Sequence, residues 1–261
     1  MVIRYPALGE EYGQIQTDYF LELLNLALSR SGKVYRLEPV IMSEFRESRS
    51  VMSVAKGMYD VHWMNTNERR ESVLRPIRIP LYKGLIGWRL LMIRDGDQAR
   101  FATLDGLEPL KSLKTVQGHD WPDTNVLLHN GFNVVRSASW EGMFKMLYAG
   151  RVDYFPRSAL EVWDEVEAFS ELDFSVDQSL ALVYPSAYYF FVNRANREVA
   201  EAIERGLDRA IEDGSFDELF LSYHGESIRR AKLDQRKILR IDNPMMTPQT
   251  PLDREELWYQ P

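Results

Sequence analysis

Arginines dominate the polar chemistry of one stretch. Between Met58 and Arg94 the cationic side chains, among them Arg69, Arg70, Arg75, Arg78 and Lys83, outnumber the acids, although the 261-residue chain carries a formal net charge of −7. The polar run Asn65-Thr66-Asn67-Glu68-Arg69-Arg70-Glu71 follows a strand pattern in which Tyr59, Val61 and Trp63 alternate with Asp60 and His62. A guanidinium fork can grip a carboxylate through two parallel hydrogen bonds, which lysine cannot do. A basic loop at the end of a buried strand is where an α/β protein holds an anionic ligand. The competing reading is a set of solvated arginines on a strand-to-strand turn. A second candidate is Gly118-His119-Asp120, which opens a helical pattern and would present free backbone N–H groups to an anion. His119 there would make the site pH-sensitive, or is simply a solvated loop histidine.

Other chemistries have little to stand on. The chain has no cysteine, which excludes disulfides, thiolate nucleophiles and zinc–thiolate sites. His62, His119, His129 and His224 show no metal-ligand spacing, and no paired-carboxylate or Ser/His/Asp constellation is visible. No catalytic residue, metal or cofactor is therefore assigned. The acidic total argues against nucleic acid as a partner. No apolar run approaches the ~18 residues a membrane helix needs.

The elements that must position these groups alternate. Val2–Tyr5 and Tyr35–Ile41 read as strands. A helix from about Thr17 to Ser31 lies between them, with Thr17 as N-cap and Phe20, Leu24, Ala27 and Leu28 inward. Ser43 caps a second helix with Phe45, Met52 and Ala55 inward. Asp95–Leu110 reads as a polar connection. Beyond it come a strand at Leu113–Gln117, a helix to Asn130, a strand at Phe132–Val135, a helix capped by Ser139, and a strand at Val152–Pro156. Ser158 and Glu161 are spaced as a capping box. Asn196 starts an amphipathic helix, and the tail from Ser227 ends in a proline-punctuated extended segment whose large anchor is Trp258. Repeated βαβ units imply an α/β fold with a mainly parallel sheet, built twice.

The order of four motifs resembles the bacterial periplasmic solute-binding proteins of the type II fold, close to the amino-acid-binding branch (family 3) of ABC transporters. Gly57-Met58-Tyr59-Asp60-Val61-His62-Trp63, followed by Thr66 and Arg69 or Arg70, is similar to its G-x-x-D-x-x-W/M…T-x-x-R element. Ile77-Arg78-Ile79-Pro80-Leu81 stands in the place of F-S-x-P-Y, and Val116-Gln117-Gly118 in that of the second-lobe anion loop. Ala149-Gly150-Arg151-Val152-Asp153 and Asp213-Gly214-Ser215-Phe216-Asp217 resemble two further signatures. The resemblance spans about Met1 to Gly225; the tail is longer than the family norm.

It implies a two-lobed fold with a cleft: a discontinuous lobe one (1–94 plus 190–261, with a C-terminal extension from about 227) and lobe two (95–189). It also implies a non-enzymatic protein that captures a small anionic, carboxylate-bearing solute between its lobes and delivers it to ABC transporter membrane subunits. A monomer is expected rather than an oligomer. The N-terminus goes straight into a strand without a leader pattern, so the protein is either cytoplasmic or periplasmic with its signal peptide outside this sequence; the family points to the periplasm. Alternatives on the same fold are a dehydratase acting on a prephenate-like anion and a detached ligand-sensing domain.

Carried onto this chain, the family's site comprises Tyr12, Trp63, Thr66, Arg69, Arg70, Arg78, Gly118, His119, Asp120, Arg157, Ser158 and Glu161. Arg69 or Arg70 grips the carboxylate; register from Thr66 favours the first and register from Pro80 the second. Tyr12 and Trp63 would form an aromatic wall, with core packing the competing role for Trp63. Arg157-Ser158 stands where relatives have an aspartate that holds an α-ammonium. An arginine there would repel an amino group, so the expected solute is a carboxylate without an α-amino group, or a dianion, unless Glu161 leaves its cap.

Overall fold

The computed structural model describes residues 1–8, 14–42 and 47–261, with the side chains of 8, 14–16, 42 and 47–49 also outside the description. Tyr12, Ser43 and Phe45 fall outside the described residues. In chain order the elements begin β1 (Val2–Leu8), α1 (Gln14–Ser29), β2 (Arg36–Met42), α2 (Glu47–Ala55), β3 (Val61–Asn65), α3 (Glu68–Val73), β4 (Leu74–Ile77) and β5 (Trp88–Arg94). Then follow α4 (Gln98–Ala102), α5 (Leu107–Ser112), β6 (Lys114–Gly118), α6 (Pro122–His129), β7 (Asn133–Ser137), α7 (Trp140–Tyr148), β8 (Phe155–Ser158) and α8 (Val162–Ala168). The chain finishes with β9 (Phe174–Val176), β10 (Leu180–Val183), β11 (Tyr188–Asn193), α9 (Arg197–Glu212), α10 (Ser215–Ala231) and β12 (Lys237–Arg240).

These form two compact units. Unit one is Met1–Lys83, Ala187–Gly225 and Met246–Trp258; unit two is Gly84–Ser186, Glu226–Met245 and Tyr259–Pro261. Both differ from the expected bounds, because β5 hydrogen-bonds to β8, β9 and β10, and β12 extends the same sheet beside β10.

In unit one, β1 and β2 pair in parallel, while β11 lies between β3 and β4 and runs antiparallel to both. In unit two, β6 and β7 pair in parallel, but β5 is antiparallel to all its partners. The expectation of a mainly parallel sheet therefore needs correction. Parallel neighbours need a crossover, usually a helix, whereas the returning strand β11 joins β3 and β4 directly in the antiparallel sense.

Helix chemistry follows the sequence. Asn196 accepts a hydrogen bond from the Val199 amide (3.3 Å) and starts α9, whose Val199, Ile203 and Leu207 are buried. Gly206 sits in this buried stripe because a Cβ there would come within 1.8 Å of the Ala27 carbonyl oxygen on α1. In unit two Ser139 caps α7 through the Gly142 amide (3.0 Å), and Met143, Phe144 and Leu147 face inward as expected.

Four local expectations fail. Thr17 is inside α1, not at its cap, since the helix already runs from Gln14. Met52 is 48% exposed, and Ser50, Ser53 and Val54 take the inner face of α2 instead. Asp95–Leu110 is not a plain connection: it folds α4 and the start of α5, which bury Phe101 and Leu110 in the unit-two core. The tail is not simply extended, because β12 adds a strand and Met246 and Trp258 pack on the unit-one core of Val54, Tyr59, Met64, Leu74, Ala187, Tyr189 and Phe191.

Candidate functional site

In unit one the strand β3 ends at Asn65, and Asn67 caps α3 by accepting the Arg70 amide hydrogen (2.9 Å). That cap fixes the two arginines in different roles. Arg70 is buried and its guanidinium donates to the Asn65 carbonyl. Arg69, one residue earlier on the helix, is exposed, and its guanidinium makes no hydrogen bond or ion pair among the described residues. Arg69 is thus the free cation of the pair.

Thr66 and Arg78 converge on a group the sequence reading passed over. The Thr66 hydroxyl donates to Glu71 Oε1 (2.5 Å), and the half-buried Arg78 pairs with Glu71 Oε2. Thr247 of the tail donates to the same Oε1 (3.0 Å) and lies 3.3 Å from the Thr250 hydroxyl. One carboxylate therefore collects three donors. Trp63 is in the core: it is 7% exposed and its ring stacks on Phe20 at 5.2 Å. The wall role expected for Trp63 gives way to packing.

In unit two β5, β8, the start of α6 and α8 bring five ionisable side chains together. Arg89 of β5 donates to Asp123 Oδ1 (2.5 Å), which also accepts the Tyr184 hydroxyl. Arg157 of β8 makes a two-pronged contact with Glu165 (2.7 and 2.5 Å) and stands 3.1 Å from Glu161. Glu161 in turn lies 3.8 Å from Arg89, so one carboxylate is shared between two guanidiniums. The Arg157 guanidinium also sits over the Trp121 ring, 4.9 Å from its centre. Burial opposes the charge on both arginines. For Arg157 the Glu165 and Glu161 carboxylates outweigh that penalty and hold its pKa above the ordinary value; for Arg89, Asp123, Tyr184 and Glu161 do the same.

This geometry corrects two expectations. Ser158 and Glu161 do not form a capping box: the Ser158 hydroxyl accepts from the Leu160 amide (3.2 Å) and donates to the Leu85 carbonyl (3.3 Å), while α8 starts only at Val162. Glu161 is thereby released from capping. Nor does Arg157 present free positive charge, because Glu165 neutralises it. The cluster sets three carboxylates, Asp123, Glu161 and Glu165, against the two guanidiniums of Arg89 and Arg157, and burial raises the Glu165 pKa against the pull of Arg157. Its exposed member is Glu161, whose side chain is 20% accessible; Arg89 Nε is buried without a hydrogen-bond partner.

The helix-start loop is largely committed to itself. The His119 amide donates to the Ser137 carbonyl (2.9 Å) and the Trp121 amide to the Gly118 carbonyl (3.2 Å), which also accepts the Thr124 hydroxyl (2.5 Å). Gly118 is required by packing, since a Cβ would lie 2.5 Å from the Trp121 ring. The His119 and Asp120 side chains are exposed.

Arg89, Asp123, Glu165 and Tyr184 escaped sequence reading. Glu161 and Glu165 are one helical turn apart, and that spacing was the available signal. Nothing local marks Arg89, which follows Trp88 in an apolar run, as a partner of Asp123.

No protein-family profile matches the chain, and no curated protein sequence does. Solved structures do. The Bacillus subtilis protein ytmK, described as a probable amino-acid ABC transporter extracellular-binding protein, superposes with a TM-score of 0.65 at 18% identity, over 86% of this chain and 98% of its own. An ancestral arginine-binding protein bound to arginine matches with a TM-score of 0.59 at 16% identity, over 85% and 97%. The fold is the type II periplasmic-binding fold. The periplasmic VFT2 domain of Bordetella pertussis BvgS shares it (TM-score 0.62, 15% identity, 85% and 93% covered). No helix among the described residues is long and apolar enough to cross a membrane.

Proposed function

We propose that this chain is an extracytoplasmic solute-binding protein that captures a small carboxylate-bearing solute and delivers it to ABC-type transporter subunits. The observation that carries the reading is the unit-two cluster, in which Glu161 remains partly exposed beside two guanidiniums held by Asp123 and Glu165. Such a group accepts hydrogen bonds from an ammonium or other cationic donor, and ion pairing to Arg89 and Arg157 fixes its direction. In unit one, the unpaired Arg69 guanidinium at the start of α3 is the group suited to a carboxylate. From the unit-two cluster alone, the solute is read as one that carries an amino group beside the expected carboxylate, in place of the amino-free anion expected from Arg157.

Fold relatives support the same reading, since those above are named as an arginine-binding protein, an amino-acid transporter's extracellular-binding protein and a periplasmic domain. The corresponding location for this chain is the periplasm or the cell exterior, and its working form is a monomer. The test is a thermal-shift screen of α-amino acids, their decarboxylated amines and plain organic acids. A ligand at ~100 times its dissociation constant adds about 2.7 kcal/mol of stability. α-Amino acids should shift the melt, and the amines and acids lacking one charge should not. A shift by plain organic acids alone would overturn the amphoteric reading, and turnover of any compound in the screen would overturn the binding role.

A further inference from the structure

Arg236 of unit two is a buried cation without a counter-ion. It is 8% exposed. Its Nε donates to the Ala231 carbonyl at the end of α10 (2.6 Å), and its Nη1 donates to the carbonyls of Asp177 and Leu180. It makes no ion pair with a carboxylate among the described residues, and its Nη2 makes no hydrogen bond there. The nearby Asp177 carboxylate is already occupied by the Gln98 amide (2.8 Å) and the Ser179 and Leu180 backbone amides (3.2 and 2.8 Å). Burial accordingly lowers the Arg236 pKa, with the Asp177 charge offsetting only part of that. Burying an unpaired charge is costly, so such a group asks for a partner from outside.

A pocket of about 500 Å³ stands over it. The rim carries Lys232, which has no partner among the described residues, and the side-chain amides of Gln178 and Gln235, which make no hydrogen bonds there. One wall is Trp163, whose indole N–H is tied to the Ser227 carbonyl (3.1 Å) and whose ring holds the Arg230 guanidinium 4.5 Å from its centre. Arg229 on the same rim is cancelled by Glu226 (2.6 Å). Asp164 feels the Arg230 charge but makes no ion pair with it. Arg230, Lys232 and Arg236 are the cations left over, within an acidic protein. Three cations, with the Arg236 Nη2 still unspent, suit a doubly charged group better than a single carboxylate.

We propose that this pocket binds a small, soluble phosphate-bearing molecule, with Arg236 at its floor and Lys232 and Arg230 at its rim, the phosphate supplying the counter-charge that Arg236 lacks. The pocket shares no lining residue with the candidate solute site and does not depend on that reading.

The test is calorimetric titration of the full chain with pyrophosphate, against sodium chloride of matched ionic strength. Pyrophosphate should bind saturably, one per chain, and weaken as salt is raised. Lys232→Glu and Gln178→Glu, both at exposed positions, should each weaken binding at least tenfold with unchanged circular dichroism. Arg236→Met probes the floor; if it fails to fold, the two rim variants still decide. Glu161→Gln, in the candidate solute site, should bind pyrophosphate as the wild type does. Matching heats from chloride, wild-type affinity in both rim variants, or loss of pyrophosphate binding in Glu161→Gln would each overturn the proposal.

Discussion

The two units each bury a knot of carboxylates and arginines, and the knots are finished differently. In unit one Glu71 receives Thr66, Thr247 and Arg78, and its side chain is 7% exposed. Three donors hold it, and the spare capacity of this knot lies on the arginine: Arg78 is 36% exposed and its Nε is buried without a hydrogen-bond partner. In unit two three carboxylates share two guanidiniums, and Glu161, which lies beside both, keeps some of its surface. A satisfied buried polar network rigidifies and specifies a fold, and the two knots differ in which charge keeps accessible surface: the arginine Arg78 in unit one and the carboxylate Glu161 in unit two. The contrast also explains the tail. Met246–Trp258 belongs to unit one because Thr247 completes Glu71, while Met246 and Trp258 cover the adjacent core.

Substitutions should separate the two knots. The largest effect is expected from Arg157→Ala, which strands the buried Glu165 carboxylate; breaking such a pair costs about 3–5 kcal/mol, visible as a lower urea midpoint. Glu71→Ala comes next, at about 2–3 kcal/mol, because it leaves Thr66, Thr247 and Arg78 without their acceptor. Thr247→Val should cost about 1.5 kcal/mol, the low end for one hydrogen bond to a charged group. A tail that is merely draped on the surface would instead make Thr247→Val neutral. Glu161→Gln should change stability least, because Asp123 and Glu165 remain on the two guanidiniums, while weakening solute binding at least tenfold. If Glu71→Ala also abolishes solute binding at unchanged stability, the division between a structural and a recognition knot is wrong.

Acid provides a further test within unit one. Burial, assisted by the Arg70 charge, lowers the His62 pKa to about 3, and burial among Tyr19, Tyr82 and Phe220 lowers that of His224 to about 4. Both histidines are neutral in the folded state and take up a proton on unfolding once the pH is below about 6.5. Their contribution to stability is complete above that pH and is lost progressively as pH falls toward 4 and 3. His224→Phe should flatten the acid limb of a melting-temperature profile; an unchanged limb would mean that His224 is solvated.

Much of the fold was legible because its signals are local and periodic. The Asn196 and Ser139 caps and the inner faces of α1, α7 and α9 follow from spacing alone. Strand order was not, because β11 and β12 reach β3, β4 and β10 across long sequence separations. At the candidate site, Arg69 and Arg70 were visible as a pair, but the choice between them rested on the Asn67 cap, which turns one inward. Arg157 looks like free charge in the sequence because its neutraliser, Glu165, lies on the following helix. The capping-box reading of Ser158 and Glu161 obscured the one carboxylate left with exposed surface.

The most direct test of the account is the affinity of wild-type and Glu161→Gln protein for whichever α-amino acid produces the strongest thermal shift, measured by calorimetry at neutral pH. The account predicts one saturable site in the wild type and at least a tenfold loss in the variant, with the urea midpoint nearly unchanged. Equal affinity in the two proteins would contradict it.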